Sequence, residues 1–322
     1  MKFLVVGLGS IGRRHYRNLL SIKHTEITVL RRGHTGDAEQ EKFLEEYHPK
    51  ISYDLVGALN EKPDVVFVTN PTSLHLETAR AAVEHGAHVF IEKPLSHSLR
   101  GLGTFLALAK KKKRVVYVGY NYRHHPQLIA IKKMIDAGKL GKIFFARFTT
   151  GEYLPGWHPW EDYRKGYAAR SDLGGGMLLT QSHDIDTALW FFGTPGRVMG
   201  RASKSGILAV TSDDTADLIL GYNTFSVQIH LDGLMQPPVK QCEIYGLKGT
   251  ILWDYHKGTL TTTIKGHTTQ NRLKHFDRND MYIKELKDFL SCVKSHQAPS
   301  SDGAAGAQVV AIAETISKNS TA

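Results

Sequence analysis

Over the first 120 residues, short apolar runs rich in β-branched residues alternate with longer stretches whose apolar positions recur at helical spacing. The runs Lys2–Val6, Ile27–Leu30, Val65–Thr69, His88–Ile91 and Val115–Gly119 predict strands. The stretches Arg13–Leu20, Ala38–Tyr47, Ser73–Glu84 and Leu99–Lys111 each offer one buried face and predict helices. Nearly continuous apolar strands, joined through helices by short loops, predict a doubly wound parallel sheet covered on both faces.

The pattern changes beyond residue 120. A helix is predicted over Gln127–Ala137, stopped by Gly138. Longer runs with period-two alternation follow at Ile143–Thr150, Val198–Ser203, Thr215–Gly221, Phe225–Asp232, Val239–Tyr245, Thr250–Asp254 and Thr259–Ile264. Turn residues such as Tyr222-Asn223 and Leu247-Lys248-Gly249 join several of them as hairpins. A helix near Asp184–Phe192 interrupts the series, and helices at Met281–Lys294 and Ala304–Lys318 close it. This predicts an α+β domain with a large, mostly antiparallel open sheet. The boundary falls near Gly119–Pro126, giving domains at 1–120 and 121–322, with the last helix a candidate to pack back on the first domain.

Composition narrows the class without changing this picture. A chain of 322 residues holds about two domains at ~150 residues each, and 41% hydrophobic with 22% charged residues is ordinary for a globular protein. No run approaches the ~18 apolar residues of a membrane helix. The start, Met1-Lys2-Phe3-Leu4-Val5-Val6-Gly7, lacks the pattern of a signal peptide, and Cys242 and Cys292 make no disulfide framework, so a cytoplasmic home is expected. The net charge of +10 is spread over both halves. Its one dense run, Lys110–Arg114, lies where a helix ends and suits the negative end of the dipole. No nucleic-acid or membrane partner is expected, whereas an anionic small molecule suits the surface. His124-His125 has no partners at ligand spacing, so no metal site is expected.

Gly7-Leu8-Gly9-Ser10-Ile11-Gly12 is a G-x-G-x-x-G that follows a strand and opens a helix, the context in which the string carries meaning. Gly7 permits the tight turn, Gly9 lets a pyrophosphate approach the backbone, and Gly12 allows close helix–strand packing. With Ser10 and Ile11 they form a loop whose free N–H groups face phosphates at a helix N-terminus. This predicts a Rossmann dinucleotide site. The carboxylate that would grip a ribose 2′-hydroxyl is expected near position 31, where the chain reads Leu30-Arg31-Arg32. Two guanidiniums suit a 2′-phosphate, so NADP(H) is predicted ahead of NAD(H).

Ligands of open parallel sheets bind beyond the carboxyl ends of the strands. Three polar segments stand at such ends: Thr69–His75, Glu92-Lys93-Pro94 and Gly119–Pro126. Lys93 is suited to donate to an oxygen that changes between alcohol and carbonyl, and a surface lysine is its plain alternative.

These pieces resemble the glucose–fructose oxidoreductase / inositol dehydrogenase / MocA family. The resemblance rests on Gly7–Gly12 with Arg13-Arg14-His15, Asn70-Pro71-Thr72-Ser73-Leu74-His75, Glu92-Lys93-Pro94, Asn121–Pro126, and Gly174-Gly175-Gly176-Met177-Leu178 leading to His183. It covers nearly the whole chain. It implies NAD(P)-dependent redox chemistry on sugars, cyclitols or their nucleotide conjugates. It also implies a lysine at Lys93 that meets nicotinamide ribose and substrate oxygen, with Glu92 beside it and a cis bond to Pro94. Asn70, Pro71 and His75 are implied near the nicotinamide, and Asn121 and Arg123 at the junction of the two domains. The family pattern has an Asp after the triple glycine and a His four residues on. Here Thr180 takes the Asp position, and His183 is read as the catalytic histidine of a variant Ser182-His183-Asp184-Ile185-Asp186.

Residue chemistry supports that assignment. A carbon releases hydride only as its hydroxyl loses a proton, so a base titrating near neutrality is needed, and imidazole is that side chain. Asp186, at i+3 from His183, is expected either to hold the imidazole or to bind a sugar hydroxyl. The segment Tyr153–Arg164 carries Trp157, His158, Trp160 and Tyr163, a set suited to the faces and hydroxyls of a sugar, or equally to pinning a loop on the core. Arg164, Lys165 and Arg170 hint at a diphosphate. The reading is an oxidoreductase for a sugar or nucleotide-sugar, assembled as a homodimer or homotetramer through the open sheet. A non-catalytic dinucleotide sensor on the same fold is the alternative, suggested by Thr180.

Overall fold

A computed structural model describes residues 1–22, 25–31, 38–295 and 297–320. The chain divides into two units, Met1–Asn121 with Asn279–Ala307, and Tyr122–Arg278 with Gln308 onward. The first runs β1 (Lys2–Val6), α1 (Ser10–Leu20), β2 (Glu26–Leu30), α2 (Ala38–Tyr47), β3 (Lys50–Ser52), α3 (Leu55–Asn60), β4 (Val65–Val68), α4 (His75–Glu84), β5 (His88–Ile91), α5 (Leu102–Lys111) and β6 (Val116–Val118). Its six strands are all parallel in the order β3-β2-β1-β4-β5-β6. The order reverses between β1 and β4, which puts the glycine loop after β1 beside the polar segment after β4. Strands β4 and β5 are buried along their whole length, as the unbroken apolar runs predict. The pattern misses β3 and α3, because three edge residues and six helical ones are too short to show a period. What starts α3 is Asp54, whose carboxylate accepts the N–H groups of Val56 and Gly57.

The second unit contains α6 (Pro126–Asp136), β7 (Ile143–Gly151), a series of 3-10 turns between Leu154 and Leu173, α7 (Met177–Thr180), α8 (His183–Phe192), β8 (Arg197–Ser203), β9 (Thr215–Gly221), β10 (Ser226–Asp232), β11 (Val239–Gly246), β12 (Gly249–Asp254), β13 (Thr259–Ile264) and β14 (His267–Arg272). They form an eight-stranded sheet in the order β14-β13-β12-β11-β7-β10-β9-β8, antiparallel except for the pair β7–β10. One face is apolar and buried, with Ala146, Phe148, Val227, Ile229, Cys242, Ile244 and Ile251. The opposite face carries a lateral row of Leu252, Glu243, Arg147, Gln228 and Ile219. Strand β14 is exposed throughout and has no apolar alternation; threonine pairs across the ladder, Thr262–Thr269 at 2.8 Å and Thr263–Thr268 at 2.9 Å, accompany its pairing with β13.

Two helices end the chain, α9 (Asn279–Ser295) and α10 (Gly303–Ser320). The segment 121–322, expected to form one domain, gives α9 and the start of α10 to the first unit. The cause is apolar: Leu286, Phe289, Leu290 and Val293 of α9 join the core formed by Phe3, Val5, Phe67, Phe90 and Tyr117. The Phe289 ring sits 5.5 Å from both Phe90 and Tyr117. Burying one such side chain contributes roughly 1.5–3 kcal/mol.

Candidate active site

The glycine loop is shaped by three different steric demands. Gly7 has φ +100, where only glycine is at ease, and a Cβ there would stand 2.9 Å from the Asn70 nitrogen. At Gly12 a Cβ would run into the Gly7 carbonyl. Gly9, by contrast, has nothing within 4 Å of a would-be Cβ and caps α1 in an extended conformation without a side-chain bond. Ser10 and Ile11 open the helix, and no acidic residue occupies its first turn. Free N–H groups behind open space suit a pyrophosphate, so the loop fits a dinucleotide. Thr69, which the sequence reading did not use, holds the turn by donating to the carbonyls of Val6 and Gly7 at 3.0 and 2.9 Å.

Arg31 follows β2 and is buried, with Nη2 donating to Glu41 Oε1 at 2.9 Å. Arg32 lies outside the described residues. Asn70 donates to Thr78 Oγ1 at 2.9 Å, while its buried Oδ1 has no hydrogen-bond partner among the described residues. Asn121 is buried with neither carboxamide atom bonded among the described residues. Such orphaned polar atoms at strand ends also fit a polar ligand. Pro71 precedes the short 3-10 turn that leads into α4.

His75 and Glu92, expected among the cofactor contacts, have their side chains engaged within the protein. The His75 ring is buried, with Nδ1 2.8 Å from the Pro94 carbonyl and Nε2 2.8 Å from the Asn70 carbonyl. Glu92 pairs through Oε1 with His15 Nε2 at 2.7 Å and accepts the Lys93 N–H at 3.2 Å. Burial works against the Glu92 charge, but the His15 bond and the Lys93 charge outweigh it and hold the carboxyl below its usual range. These groups support the turn that bears Lys93, which is half-buried and joined to Pro94 by a cis bond.

In the second unit, Gly174–Gly176 fold tightly before α7. A Cβ at Gly175 would meet the carbonyls of Tyr167, Ala168 and Arg170, and one at Gly176 the Asp213 carboxylate. Asp213, missed in the sequence reading, accepts the Leu178 N–H at 2.8 Å. Burial pushes its pKa up to about 6, against the pull of backbone N–H groups. The folded protein therefore keeps a proton that the unfolded chain releases near 3.8. That contribution to stability is full below the unfolded value and lost as the pH rises through about 6. Asp213→Asn, which has no proton to lose, should gain about 3 kcal/mol relative to the parent between ~pH 3.5 and ~pH 7. Urea unfolding at both pH values measures this, and parallel stability profiles would refute it.

His183 is the first residue of α8, with its ring edge-on to Tyr122 at 4.8 Å between centroids. Asp186, the acid expected to hold the imidazole or a sugar hydroxyl, is held by Arg123. Both Asp186 oxygens are taken by Arg123, from Nε at 2.9 Å and Nη2 at 2.6 Å. The i+3 spacing correctly puts Asp186 one turn on, but a guanidinium captures the carboxylate. Arg123 and Asp186, expected singly as substrate contacts, are thus partners of one another. Asp184 is bonded to Lys240 Nζ at 3.1 Å. Lys240 also donates to Thr150 Oγ1 at 3.0 Å and lies 4.6 Å from the Tyr122 ring centroid. Lys240 was overlooked, although its signal is legible: it shares the inward face of β11 with Cys242 and Ile244.

The aromatic segment is split in its roles. Trp157 has a buried Nε1 with no hydrogen-bond partner among the described residues, and His158 stacks on the exposed Trp160. The Tyr163 hydroxyl accepts the Ala209 N–H at 3.1 Å and so pins a loop. Arg164 and Arg170 pair with Asp162 and Asp172 two residues away. His125 packs against Trp253 and Phe276, and no cluster of three metal-ligating side chains occurs among the described residues. No helix of the described residues is long and apolar enough to cross a membrane.

A parallel sheet ordered about a central switch point, with a glycine loop fitted to a pyrophosphate, belongs to the dinucleotide-binding oxidoreductases. Residues 1–120 match the model of the GFO_IDH_MocA oxidoreductase family, NAD-binding Rossmann fold, and residues 128–252 match the GFO/IDH/MocA C-terminal domain. The chain belongs to this family of NAD-binding oxidoreductases. It is 26% identical over 324 residues to a myo-inositol 2-dehydrogenase of Thermotoga maritima, spanning 95% of this chain and 92% of the relative. It is equally 26% identical over 324 residues to a UDP-N-acetylglucosamine 3-dehydrogenase of Acidithiobacillus ferrooxidans, covering 97% and 95%. Among solved structures, a levoglucosan dehydrogenase in complex with NADH and levoglucosan shares the fold at TM-score 0.84, with 21% identity and coverage of 98% and 96%.

Proposed function

We propose that the protein transfers hydride between a nicotinamide dinucleotide, NADP(H) ahead of NAD(H), and a CH–OH carbon of a sugar or nucleotide-sugar. The observation that carries the reading is the open space over Gly9 at an uncapped helix N-terminus. The sugar class is supported by the relatives, which are named for inositol and UDP-N-acetylglucosamine. Bound there, the dinucleotide supplies the two-electron hydride acceptor or donor. In the oxidative direction His183 takes the hydroxyl proton as the C–H electron pair departs and a carbonyl forms. The Lys93 ammonium stabilises the negative charge that develops on that oxygen. In reduction the same proton returns from His183. Trp157, His158, Trp160 and Tyr163 belong to the segment assigned to the sugar, and self-association is assigned to the open face of the eight-stranded sheet.

The cofactor preference rests on Arg31. A 2′-phosphate on its guanidinium gains a charge-assisted bond worth about 1.5–3 kcal/mol, with Glu41 fixing the orientation of the guanidinium. Arg31→Asp should weaken NADPH binding about 10- to 100-fold and tighten NADH binding, read by fluorescence titration. Unchanged NADPH affinity would remove the preference, and failure of both cofactors to bind the parent protein would remove the function. Screening sugars and nucleotide-sugars with NADP then identifies the substrate.

A further inference from the structure

We propose that His75 is a buried imidazolium that serves as a positioning residue for Lys93. This rests on the reading of Lys93 given above. An amide oxygen accepts hydrogen bonds and never donates them. His75 Nδ1 lies 2.8 Å from the Pro94 oxygen, and Nε2 lies 2.8 Å from the Asn70 oxygen. A neutral ring carries one N–H, so its other nitrogen would turn a lone pair toward a carbonyl lone pair at hydrogen-bond distance. Only the doubly protonated ring satisfies both contacts.

The surroundings act on that cation in both directions. Burial and the Lys93 charge hold the imidazole below its usual range, against the pull of the two carbonyls and the Glu92 carboxylate; what argues for the cation is the pair of carbonyl contacts, which no neutral ring can both satisfy. Glu92 is itself braced by His15 and by the Lys93 backbone N–H. The result is a clamp with a counter-charge. One arm holds the backbone after β4 at Asn70, and the other holds the turn after β5 at Pro94, one residue beyond Lys93. Charge-assisted bonds are shorter and about twice as strong as neutral ones, and so fix that turn more firmly than a neutral ring would. The ring has no nitrogen left for a cofactor or a substrate, so its influence on turnover runs through Lys93.

The first test is spectroscopic and uses the full-length protein labelled with 15N-histidine, assigned through bonds. At about pH 7.5 both His75 ring nitrogens should carry protons and resonate close together. A ring nitrogen without a proton overturns the imidazolium. The second test is His75→Gln, whose amide can serve one carbonyl but not both. Its kcat should fall about ten- to hundredfold, the cost of a misplaced catalytic group, with NADPH affinity within about twofold of the parent. Unchanged kcat, or a loss of NADPH affinity equal to the loss of kcat, overturns the positioning role. Should that variant fail to fold, the nitrogen spectrum of the parent decides alone. Lys93→Met separates the two readings: parental turnover in it would sink the catalytic assignment of Lys93 and leave the protonation result standing.

Discussion

Replacing His183 by Gln lowers kcat by about 10²- to 10⁴-fold, the usual contribution of a positioned acid–base group, and leaves the NADPH dissociation constant unchanged. The glycine loop, Arg31 and the Lys93 turn lie in the first unit, and His183 lies in the second. The structural cost at position 183 is contained. Thr187 bonds to the backbone carbonyl of residue 183 at 2.8 Å, and Asp184 keeps its ion pair with Lys240, so α8 starts as before. What is lost is the imidazole ring beside Tyr122. Fluorescence titration of NADPH alongside steady-state kinetics on the identified sugar separates binding from chemistry. A variant that turns over at one-third of the parental rate would remove His183 from the mechanism.

Replacing Asp186 by Ala should cost about 3–5 kcal/mol of stability, because it breaks a buried ion pair by removing one member. The carboxylate is 2% exposed and the Arg123 side chain 10%. Burial raises the Asp186 pKa while Arg123 pulls it back, so charge and counter-charge depend on one another. For a unit of this size the loss corresponds to roughly 10 °C in Tm. Arg123→Met combined with Asp186→Ala should be more stable than Asp186→Ala alone, since the buried charge that faced the lost carboxylate is removed with it. Calorimetry on the three variants checks this. A loss below about 1 kcal/mol for Asp186→Ala would mean that water reaches the pair and screens it.

Much of the candidate site was legible because its chemistry is local. The glycine loop announces itself since each glycine answers a steric demand within a few residues or across one neighbouring strand. Lys93 is legible because it follows an apolar strand whose end must lie at the ligand-binding edge. What misled was proximity along the chain. Asp186 stands one turn from His183 in sequence, yet its carboxylate pairs with Arg123, 63 residues distant. His75 and Glu92 read as ligand contacts from their motifs, although their polar atoms are taken by backbone and by His15.

The sequence by itself determined the two sheets apart from their edge strands β3 and β14, since a period of two or an unbroken apolar run follows from which face of a strand meets water. It also determined the dinucleotide loop, because φ and the room for a Cβ are properties of the residue. Only the tertiary structure decided that α9 completes the first core, a choice made by the aromatic gap that Phe289 fills. It alone decided which acid meets which base. A buried charge is satisfied by whichever opposite charge the folded backbone brings within about 3 Å, and separation along the chain does not enter that energy.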